Sequence, residues 1–292
     1  MKFLFIEAHR DEHSVVKMCG VLNVSTSGFY KWRGKQRDEK TIRERQKADV
    51  KQKISQSFHE SFGTYGSPRV HHDLIEWGYT LSQKTVARYM KELKLSAKTK
   101  VKYVVTTDSN HGLKVFPNLM NRQFKAYHPN TKWVTDITYV RTVEGWLYIA
   151  TVMDLFSRKI VGIHMAASMD KELVITALKR ALSTRQPPKG FIHHSDQGSQ
   201  YCSSAYLEVI EKAQAKISMS RKGDPYDNAC IESFHATIKK ELIYRVRFET
   251  RKEAMKVINH YIFNVYNTKR KHSSLGYQSP NQYEQNYLKS LS

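Results

Sequence analysis

Cysteine is scarce in this 292-residue chain. Its three cysteines, Cys19, Cys202 and Cys230, lie far apart and form no CxxC pair. This pattern disfavours a disulfide framework and indicates ordinary small residues in a reducing compartment. His71 and His72 have no cysteine pair at zinc-finger spacing, so a structural zinc site is not expected.

Long apolar runs are also missing. The N-terminal stretch is MKFLFIEAHRDEH, which becomes charged too early for the apolar segment of a signal peptide. We find neither an amphipathic anchor nor a membrane-spanning run, so no membrane partner is expected. The predicted location is the cytoplasm, with association to the bacterial nucleoid when the protein is bound to DNA.

Acidic residues are few relative to basic ones. The chain has 27 Asp and Glu against 48 Lys and Arg, which gives a net charge of +21. Such an excess predicts a polyanionic partner, and nucleic acid is the commonest one. A basic protein that is merely soluble, or one that lies on an anionic membrane, is the alternative. With 40% apolar residues the chain is expected to fold, and its length favours two or three domains.

The N-terminal segment, residues 1–40, resembles a helix-turn-helix unit. Ser14 can cap a first short helix that ends at Gly20, and Ser25 can cap a second. The unit either contacts DNA or serves only for packing, because short helical pairs are common. The basic run that follows is equally compatible with a solvated helix face, and its end carries an apolar face formed by Val50, Ile54 and Phe58.

Residues 41–105 contain a second unit of the same kind and the better DNA-binding candidate. Ser67 and Pro68 predict the start of one helix, Gly78 its end, and Ser82 the cap of the next. This last helix places apolar side chains on one face and cations on the other. The apolar side chains are Val86, Met90 and Leu93, and the predicted DNA-binding cations are Lys84, Arg88 and Lys91.

A linker over residues 106–126 and a catalytic core over residues 127–285 complete the predicted organisation. Strand patterns alternate with helical ones, and a capping box at Thr250 and Glu253 starts the last predicted helix. A basic, turn-rich tail, YNTKRKHSSLGYQSP, follows it. The element order predicts an α/β fold with a mixed five-stranded sheet. The predicted strands are 133–140, 146–156, 159–165, 191–195 and 215–219, and the predicted helices include 171–182 and 204–212.

Three carboxylates are the predicted active site. Asp136 lies in the middle of the alternating strand WVTDITYV, Asp196 follows a strand, and Glu232 lies on a helix. Two like charges about 4 Å apart repel by roughly 4 kcal/mol at an effective dielectric near 20, so convergence requires a cation. Oxygen ligands favour Mg²⁺, and two such ions can assist an in-line phosphoryl displacement. We therefore predict two Mg²⁺ ions, for which Mn²⁺ is expected to substitute.

Basic side chains accompany these acids. Lys239 lies seven residues after Glu232, two helical turns on, and His235 lies on the same side of the helix. Arg221 and Lys222 occupy the polar loop ahead of that helix. All four are predicted to contact DNA. Taken singly, each acid has a structural explanation, such as a turn cap for Asp196 or a surface position for Glu232, and only the combination indicates catalysis.

The motifs resemble those of a known superfamily, the DDE transposases and retroviral integrases. The last two acids are separated by 35 residues, a lysine follows seven positions later, and Asp136, Asp196, Glu232 and Lys239 match this pattern. Five phrases between about Thr64 and Pro280 further resemble the second-reading-frame product of the "IS three" family of insertion-sequence transposases. They are WVTDITY, DLFSRKIVG, HSDQGSQY, SRKGDPYDNACIESF and YNTKRKHSSLGYQSP.

The resemblance implies a ribonuclease-H-like core and Mg²⁺-dependent transposition. In that chemistry one strand at an element end is cut by water, and its 3′-OH then attacks another DNA. It also implies terminal inverted repeats and target DNA as partners, a homo-oligomer on DNA, and an upstream reading-frame product that is often fused to the chain. The chain is then expected to be the catalytic portion.

Two other functions remain open at this stage. A ribonuclease-H or junction-resolving nuclease would need a further acid, for which Glu172 is the only nearby candidate, although the first turn of its own helix is its expected place. A DNA-binding regulator without activity would have no reason to tolerate Asp136 in a strand.

Overall fold

The computed structural model describes residues 1–37, 42–97, 112–222 and 224–291. The chain divides into two compact units. The first contains Met1–Glu60 and Gly66–Ser96, and the second contains Ser61–Tyr65 and Ala97–Ser292. The boundaries predicted at residues 40 and 105 both lie outside the described residues. Within the described ranges, no helix has the length and apolar character needed to cross a membrane.

The first unit begins with three short helices, α1 Lys2–Ala8, α2 Val15–Val21 and α3 Thr26–Arg37. Helix α1 was not predicted, and it packs against the other two through Ile6 and Phe29, which are fully buried. The Ser25 cap is confirmed, because Gly28 N donates to Ser25 Oγ at 3.0 Å. The end predicted at Gly20 is wrong, since α2 continues through Val21 and is capped by Leu22.

Three more helices complete the first unit, α4 Ile42–Glu60, α5 Ser67–Glu76 and α6 Gln83–Glu92. The predicted apolar face of α4 is confirmed, with Ile54 and Phe58 buried. The Ser82 cap of α6 is also confirmed, because its side chain accepts from Thr85 N at 3.2 Å. The cap of α5 is Gly66 instead of Ser67, which itself begins the helix. Glycine tolerates the cap position at small cost.

The second unit is built on a five-stranded sheet. Its order is β3-β2-β1-β4-β5, so β1 lies at the centre. Strand β1 is antiparallel to β2 and parallel to β4, and β5 is parallel to β4. The predicted mixed sheet is therefore confirmed. The strands are β1 Lys132–Thr142, β2 Gly145–Asp154, β3 Lys159–Ala166, β4 Ile192–Ser195 and β5 Lys216–Met219.

Helices of the second unit cover both faces of the sheet. They are α7 Lys171–Arg185, α8 Ser204–Lys212, α9 Ala229–Glu241, α10 Arg251–His260 and α11 Pro280–Leu291. On one face β1 and β3 pack with α9 and α10, and on the other they pack with α7 and α8. Val134 and Trp133, adjacent in β1, belong to the two different cores, as the period of two in a strand requires.

Residues 112–126, the described part of the predicted linker, have no helix or strand but pack against the second unit. Met120 is 1% exposed and belongs to the same core as α9. Leu119 N donates to Ser218 Oγ at 2.9 Å, and Met219 N donates to the carbonyl of Pro117 at 3.3 Å. These contacts hold the segment against the β5 edge of the sheet.

The C-terminal part is more ordered than the predicted basic tail. The Thr250 cap is confirmed, because its Oγ1 accepts from Glu253 N at 3.1 Å, whereas the Glu253 carboxylate accepts from Glu249 N and not from Thr250 N as a capping box requires. Helix α10 continues into a π-helix, Tyr261–Tyr266. Beyond it Arg270 is buried, because its guanidinium donates to the carboxylate of Glu241 at 2.8 Å. Helix α11 was not predicted from the sequence.

Candidate active site

Asp136 lies at the centre of the sheet. In β1 it is paired with Thr151 of β2. Its side chain is 16% exposed, its Oδ1 accepts from Ile137 N at 2.8 Å, and its Oδ2 lies 3.2 Å from Nδ1 of His235 on α9. The carboxylate therefore points toward α9 and is held from two sides.

Asp196 follows β4 directly. The parallel register pairs Val134 with His194, and continuing it by two residues places Asp196 beside Asp136. Neighbouring strands lie about 4.8 Å apart, so the two acids start from adjacent backbone positions. Asp196 Oδ1 accepts from Gly198 N at 3.0 Å. A Cβ at Gly198 would lie 3.0 Å from that same oxygen, so the turn favours glycine.

Glu232 brings the third carboxylate from the helical layer. It lies in the first turn of α9, which is anchored on the sheet by buried Ile231 and Phe234. A helix N-terminus favours a negative charge. Here the opposite effects win: burial, followed by the charges of Asp136 and Asp196, raises the pKa of Glu232. Glu232 is therefore close enough to Asp136 and Asp196 for their charges to act on it.

Lys239 is half-buried next to these acids. Burial lowers its pKa, and the negative charge of Asp136 opposes that change. Its Nζ lies 4.9 Å from the ring centroid of Tyr139, three residues after Asp136 in β1. This position puts one cation at the border between the acids and the end of the β1–β2 hairpin.

His235 differs from its predicted position as a DNA contact. It is only 6% exposed, and its Nε2 lies 3.0 Å from Oγ1 of Thr151. An ionised carboxylate can only accept, so Nδ1 donates to Asp136. Nε2 then pairs with the Thr151 hydroxyl. The imidazole thus connects β2 to Asp136, and its burial follows from the packing of α9 on the sheet.

Several buried polar groups near the acids were not predicted. Tyr201 is fully buried, its hydroxyl lies 3.4 Å from Oγ1 of Thr135, and burial with nearby acids raises its pKa. Asn228, just before α9, donates to the Thr135 carbonyl at 3.4 Å. Tyr201 lies in the motif HSDQGSQY and Asn228 in DNACIES, so their proximity to the acids in sequence could have indicated a role. Their burial could not be predicted, because it depends on partners remote in sequence.

Two buried histidines adjoin Asp196 in the chain. Burial lowers the pKa of His193 to about 3 and that of His194 to about 4. His193 Nε2 lies 2.7 Å from the Tyr206 hydroxyl, and His194 Nδ1 lies 2.8 Å from Ser218 Oγ. Both rings are therefore neutral near pH 7, and they do not offset the negative charge of the acids.

The donor set fits a hard divalent cation in its chemistry. Among the described residues, however, no three His, Cys, Asp or Glu side chains are grouped so that they could together hold an ion. One oxygen each of Asp136 and Asp196 is bonded to a neighbouring backbone N–H, and like charges repel. A bound cation would reverse that repulsion. Carboxylate oxygens are the ligands that Mg²⁺ prefers.

The loop ahead of α9 is held by ion pairs. Arg221 donates to Asp227 at 2.8 Å, and Arg122 donates to Asp224 at 2.6 Å. The hydrogen bond from Arg221, which outweighs the cost of burial, holds the pKa of Asp227 well below its usual range. Arg221 remains half exposed despite this pairing, and Lys222 is exposed. Both predicted DNA contacts therefore stay accessible.

The remaining predicted residues are exposed on their own helices. Lys84, Arg88 and Lys91 are exposed on α6 in the first unit, as predicted from the helical pattern. Glu172 is exposed in the first turn of α7, which is capped by Asp170. The expectation that Glu172 belongs to its own helix start is confirmed.

Comparison with known protein families agrees with the helical first unit and the mixed sheet of the second. Two family models described as "Integrase core domain" match residues 126–225 and 213–280, and one described as "HTH-like domain" matches residues 44–103. The second unit is thus an integrase-type catalytic core with a ribonuclease-H-like sheet.

Full-length relatives identify the particular family. The chain is 40% identical to the transposase InsF of insertion sequence IS3A from Escherichia coli strain K12, over 99% of this chain and 100% of the relative. It is 45% identical to the uncharacterized 31 kDa protein of insertion element IS600 from Shigella sonnei, over 92% and 98%. The chain belongs to the IS3 family of insertion-sequence transposases, which confirms the resemblance seen in its motifs.

A solved structure is also similar. The catalytic core domain of HTLV-2 integrase, determined in complex with magnesium, is 17% identical and matches 54% of this chain and 98% of that domain, with a TM-score of 0.43.

Proposed function

We propose that this DDE transposase cuts and joins DNA ends with Asp136, Asp196 and Glu232 as its catalytic acids. The observation that carries the proposal is the position of the three acids, on β1, directly after the adjacent strand β4, and in the first turn of α9, which packs on the same sheet. Three acids from β1, the end of β4 and α9 then act on one phosphodiester. One strand at the element end is cut by water, and its 3′-OH attacks target DNA.

The three carboxylates are the proposed ligands of divalent metal, two Mg²⁺ ions with Mn²⁺ as a substitute. When bound, such a pair stabilises the attacking and leaving oxygens of an in-line displacement. His235 and Thr151 orient Asp136 for this task. His235 Nδ1 holds one carboxylate oxygen of Asp136, and Thr151 on β2 holds the imidazole at its other nitrogen.

Basic side chains are proposed to hold the DNA. Lys239 contacts a phosphate next to the reacting one, since it lies beside Asp136 and is half-buried. Arg221 and Lys222 contact the same DNA from the loop ahead of α9. In the first unit Lys84, Arg88 and Lys91 contact the backbone of the terminal inverted repeat.

Further partners are part of the proposal. Binding of two element ends and a target calls for more than one copy, so we expect a homo-oligomer on DNA. The upstream reading-frame product, as a separate chain or a fusion, is expected to add end recognition. These activities belong in the bacterial cytoplasm, at the nucleoid.

The experiment is a cutting and joining assay with purified chain, a labelled DNA end and Mg²⁺, with and without the upstream product. Asp136→Asn, Asp196→Asn and Glu232→Gln should each abolish both products while DNA binding survives. Glu172→Gln is the matched control, an exposed acid of the same unit that should retain activity. Normal joining by any of the three variants would exclude that acid. Loss of cutting by Glu172→Gln would instead favour a nuclease of the ribonuclease-H type.

A further inference from the structure

The tip of the β1–β2 hairpin carries an exposed group of rings and cations. Trp146 is 40% exposed although it is one of the largest apolar side chains. The guanidinium of Arg141, its cross-strand partner, lies 5.0 Å from the Trp146 ring centroid. Tyr139 meets the same indole edge-to-face, with centroids 5.0 Å apart. The hairpin thus displays alternating aromatic and cationic surfaces.

The segment after α9 extends this surface. Thr142 forms a parallel bridge with Phe248, and Val143 N donates to the Phe248 carbonyl at 3.0 Å. This bridge holds residues 239–248 against the hairpin. Tyr244 is 47% exposed and lies close enough to Tyr139 to contribute to raising its pKa, after burial. We call Tyr139, Arg141, Trp146, Lys239 and Tyr244 the hairpin patch.

The hairpin patch is anchored to the sheet and continuous with the acids. Arg251 Nε donates to the Trp146 carbonyl at 2.9 Å, which fixes the backbone of the hairpin tip. Lys239 Nζ contacts the Tyr139 ring at one end of the patch, and the charge of Asp136 acts to raise the pKa of this lysine against the effect of burial. Tyr139 follows Asp136 by three strand residues, or about 10 Å, and its side chain leaves β1 on the opposite face, so Lys239 is the link between the acids and the patch.

Charge indicates the kind of occupant. Residues 239–247 contain four cations, Lys239, Lys240, Arg245 and Arg247, in nine positions. Three acids lie nearby, and each has a partner: Glu241 is bonded to buried Arg270, Glu249 is paired with Arg247, and Glu144 in the hairpin turn accepts from Arg251 N at 2.8 Å. Cross-strand pairing alone would explain Arg141 on Trp146. It does not explain why Lys239 and Tyr244 lie beside Tyr139, the next ring of the patch.

We propose that the hairpin patch binds unpaired nucleotides of the DNA strand next to the active site. The proposal rests on the proposed function, since it takes DNA at the three acids as given. Aromatic rings and guanidinium planes stack on bases of any sequence, and the surrounding cations neutralise phosphates. At about 3.4 Å per stacked nucleotide, the patch begins some three nucleotides from the reacting phosphodiester. It holds a strand that has separated from its complement at the element end.

The test compares DNA ends by fluorescence anisotropy in EDTA, so that no chemistry occurs. One probe is a blunt duplex end, and the other is the same duplex with a short single-stranded thymine tail. The wild-type chain should bind the tailed end more tightly. Trp146→Ala and Arg141→Ala should each reduce that preference by roughly tenfold, the effect of losing one stacked base, with blunt-end affinity unchanged. Trp146→Phe should keep most of it.

Controls separate the outcomes. Tyr127→Ala removes another exposed ring that carries a lysine, with Lys125 Nζ 4.9 Å from its centroid, and should change nothing. Asp196→Asn should lose joining and keep the tail preference, so failure of the catalytic proposal is distinguishable from failure of this one.

Photocrosslinking of an iodouracil tail to the wild-type chain should label Trp146 or Tyr244. A wild-type chain without tail preference, or one whose variants keep it, would overturn the proposal. So would a Trp146→Ala variant that changes only the oligomeric state, because the patch would then be a protein interface.

Discussion

Nδ1 of His235 lies 3.2 Å from Oδ2 of Asp136, and this imidazole is almost fully buried between α9 and β2. The sequence placed His235 on the face of α9 that carries Glu232, and the structure explains why. One helical face supplies both an acid of the site and the group that orients another acid. Position on that face does not imply contact with DNA.

His235→Ala should raise the Mg²⁺ concentration needed for half-maximal joining by about 10- to 100-fold, since groups that orient metal ligands have effects of that size. Thr151→Val should act in the same direction with a smaller effect, because the imidazole loses only its outer partner. The measurement is a Mg²⁺ titration of joining together with DNA affinity in EDTA. Weaker DNA binding with an unchanged Mg²⁺ requirement would instead support direct contact between His235 and DNA.

Glu232→Gln should stabilise the metal-free protein at neutral pH. Folding raises the pKa of this carboxyl. Its favourable contribution to stability is therefore fully present below the unfolded pKa, near 4.5, and is lost as pH rises through the folded value. Glu232→Gln has no ionisable carboxyl, so it avoids the loss of stability that the wild type shows at neutral pH.

Thermal unfolding in EDTA checks this prediction. The variant should melt at a higher temperature than the wild type at pH 7.5 and at a similar temperature near pH 4. Added Mg²⁺ should then raise the melting temperature of the wild type more than that of the variant. An equal drop in melting temperature for the variant at both pH values would show that Glu232 serves packing.

Replacing Lys84, Arg88 and Lys91 together by alanine should weaken binding to an element end and flatten its salt dependence. Each lost phosphate contact lowers the slope of log affinity against log salt by about 0.9. Anisotropy at several salt concentrations measures that slope. Lys47 and Lys51 provide the control, because both are ion-paired with Glu92 on the same unit. If alanine at these two positions had the same effect as the triple replacement, the α6 face would have no special role.

Local patterns were sufficient for much of the fold. The alternation around Asp136 predicted β1, and the caps at Ser25, Ser82 and Thr250 depend on side-chain bonds to backbone groups three residues away. The order of strands and helices then predicted a mixed five-stranded sheet. Such features are encoded within a few residues, so a single sequence carries them.

Other features depend on partners remote in sequence. Arg270 belongs to the predicted basic, turn-rich tail, yet it is buried because Glu241 neutralises it. Met120 belongs to the predicted linker, yet its side chain is buried in the core of the second unit. Helix α11 did carry a local signal in Ser279, whose Oγ accepts from Gln282 N at 3.3 Å. The same holds for the site. The spacing of the acids could be recognised in the sequence, whereas the contact of His235 with Asp136 could not.

The most direct measurement is a crystal structure of the chain soaked in Mn²⁺, with anomalous diffraction used to locate the metal. The three-acid site predicts Mn²⁺ bound by carboxylate oxygens of Asp136, Asp196 and Glu232, and loss of that signal in Asp196→Asn. Mn²⁺ bound elsewhere, or a fully occupied site that lacks one of these acids, would contradict it.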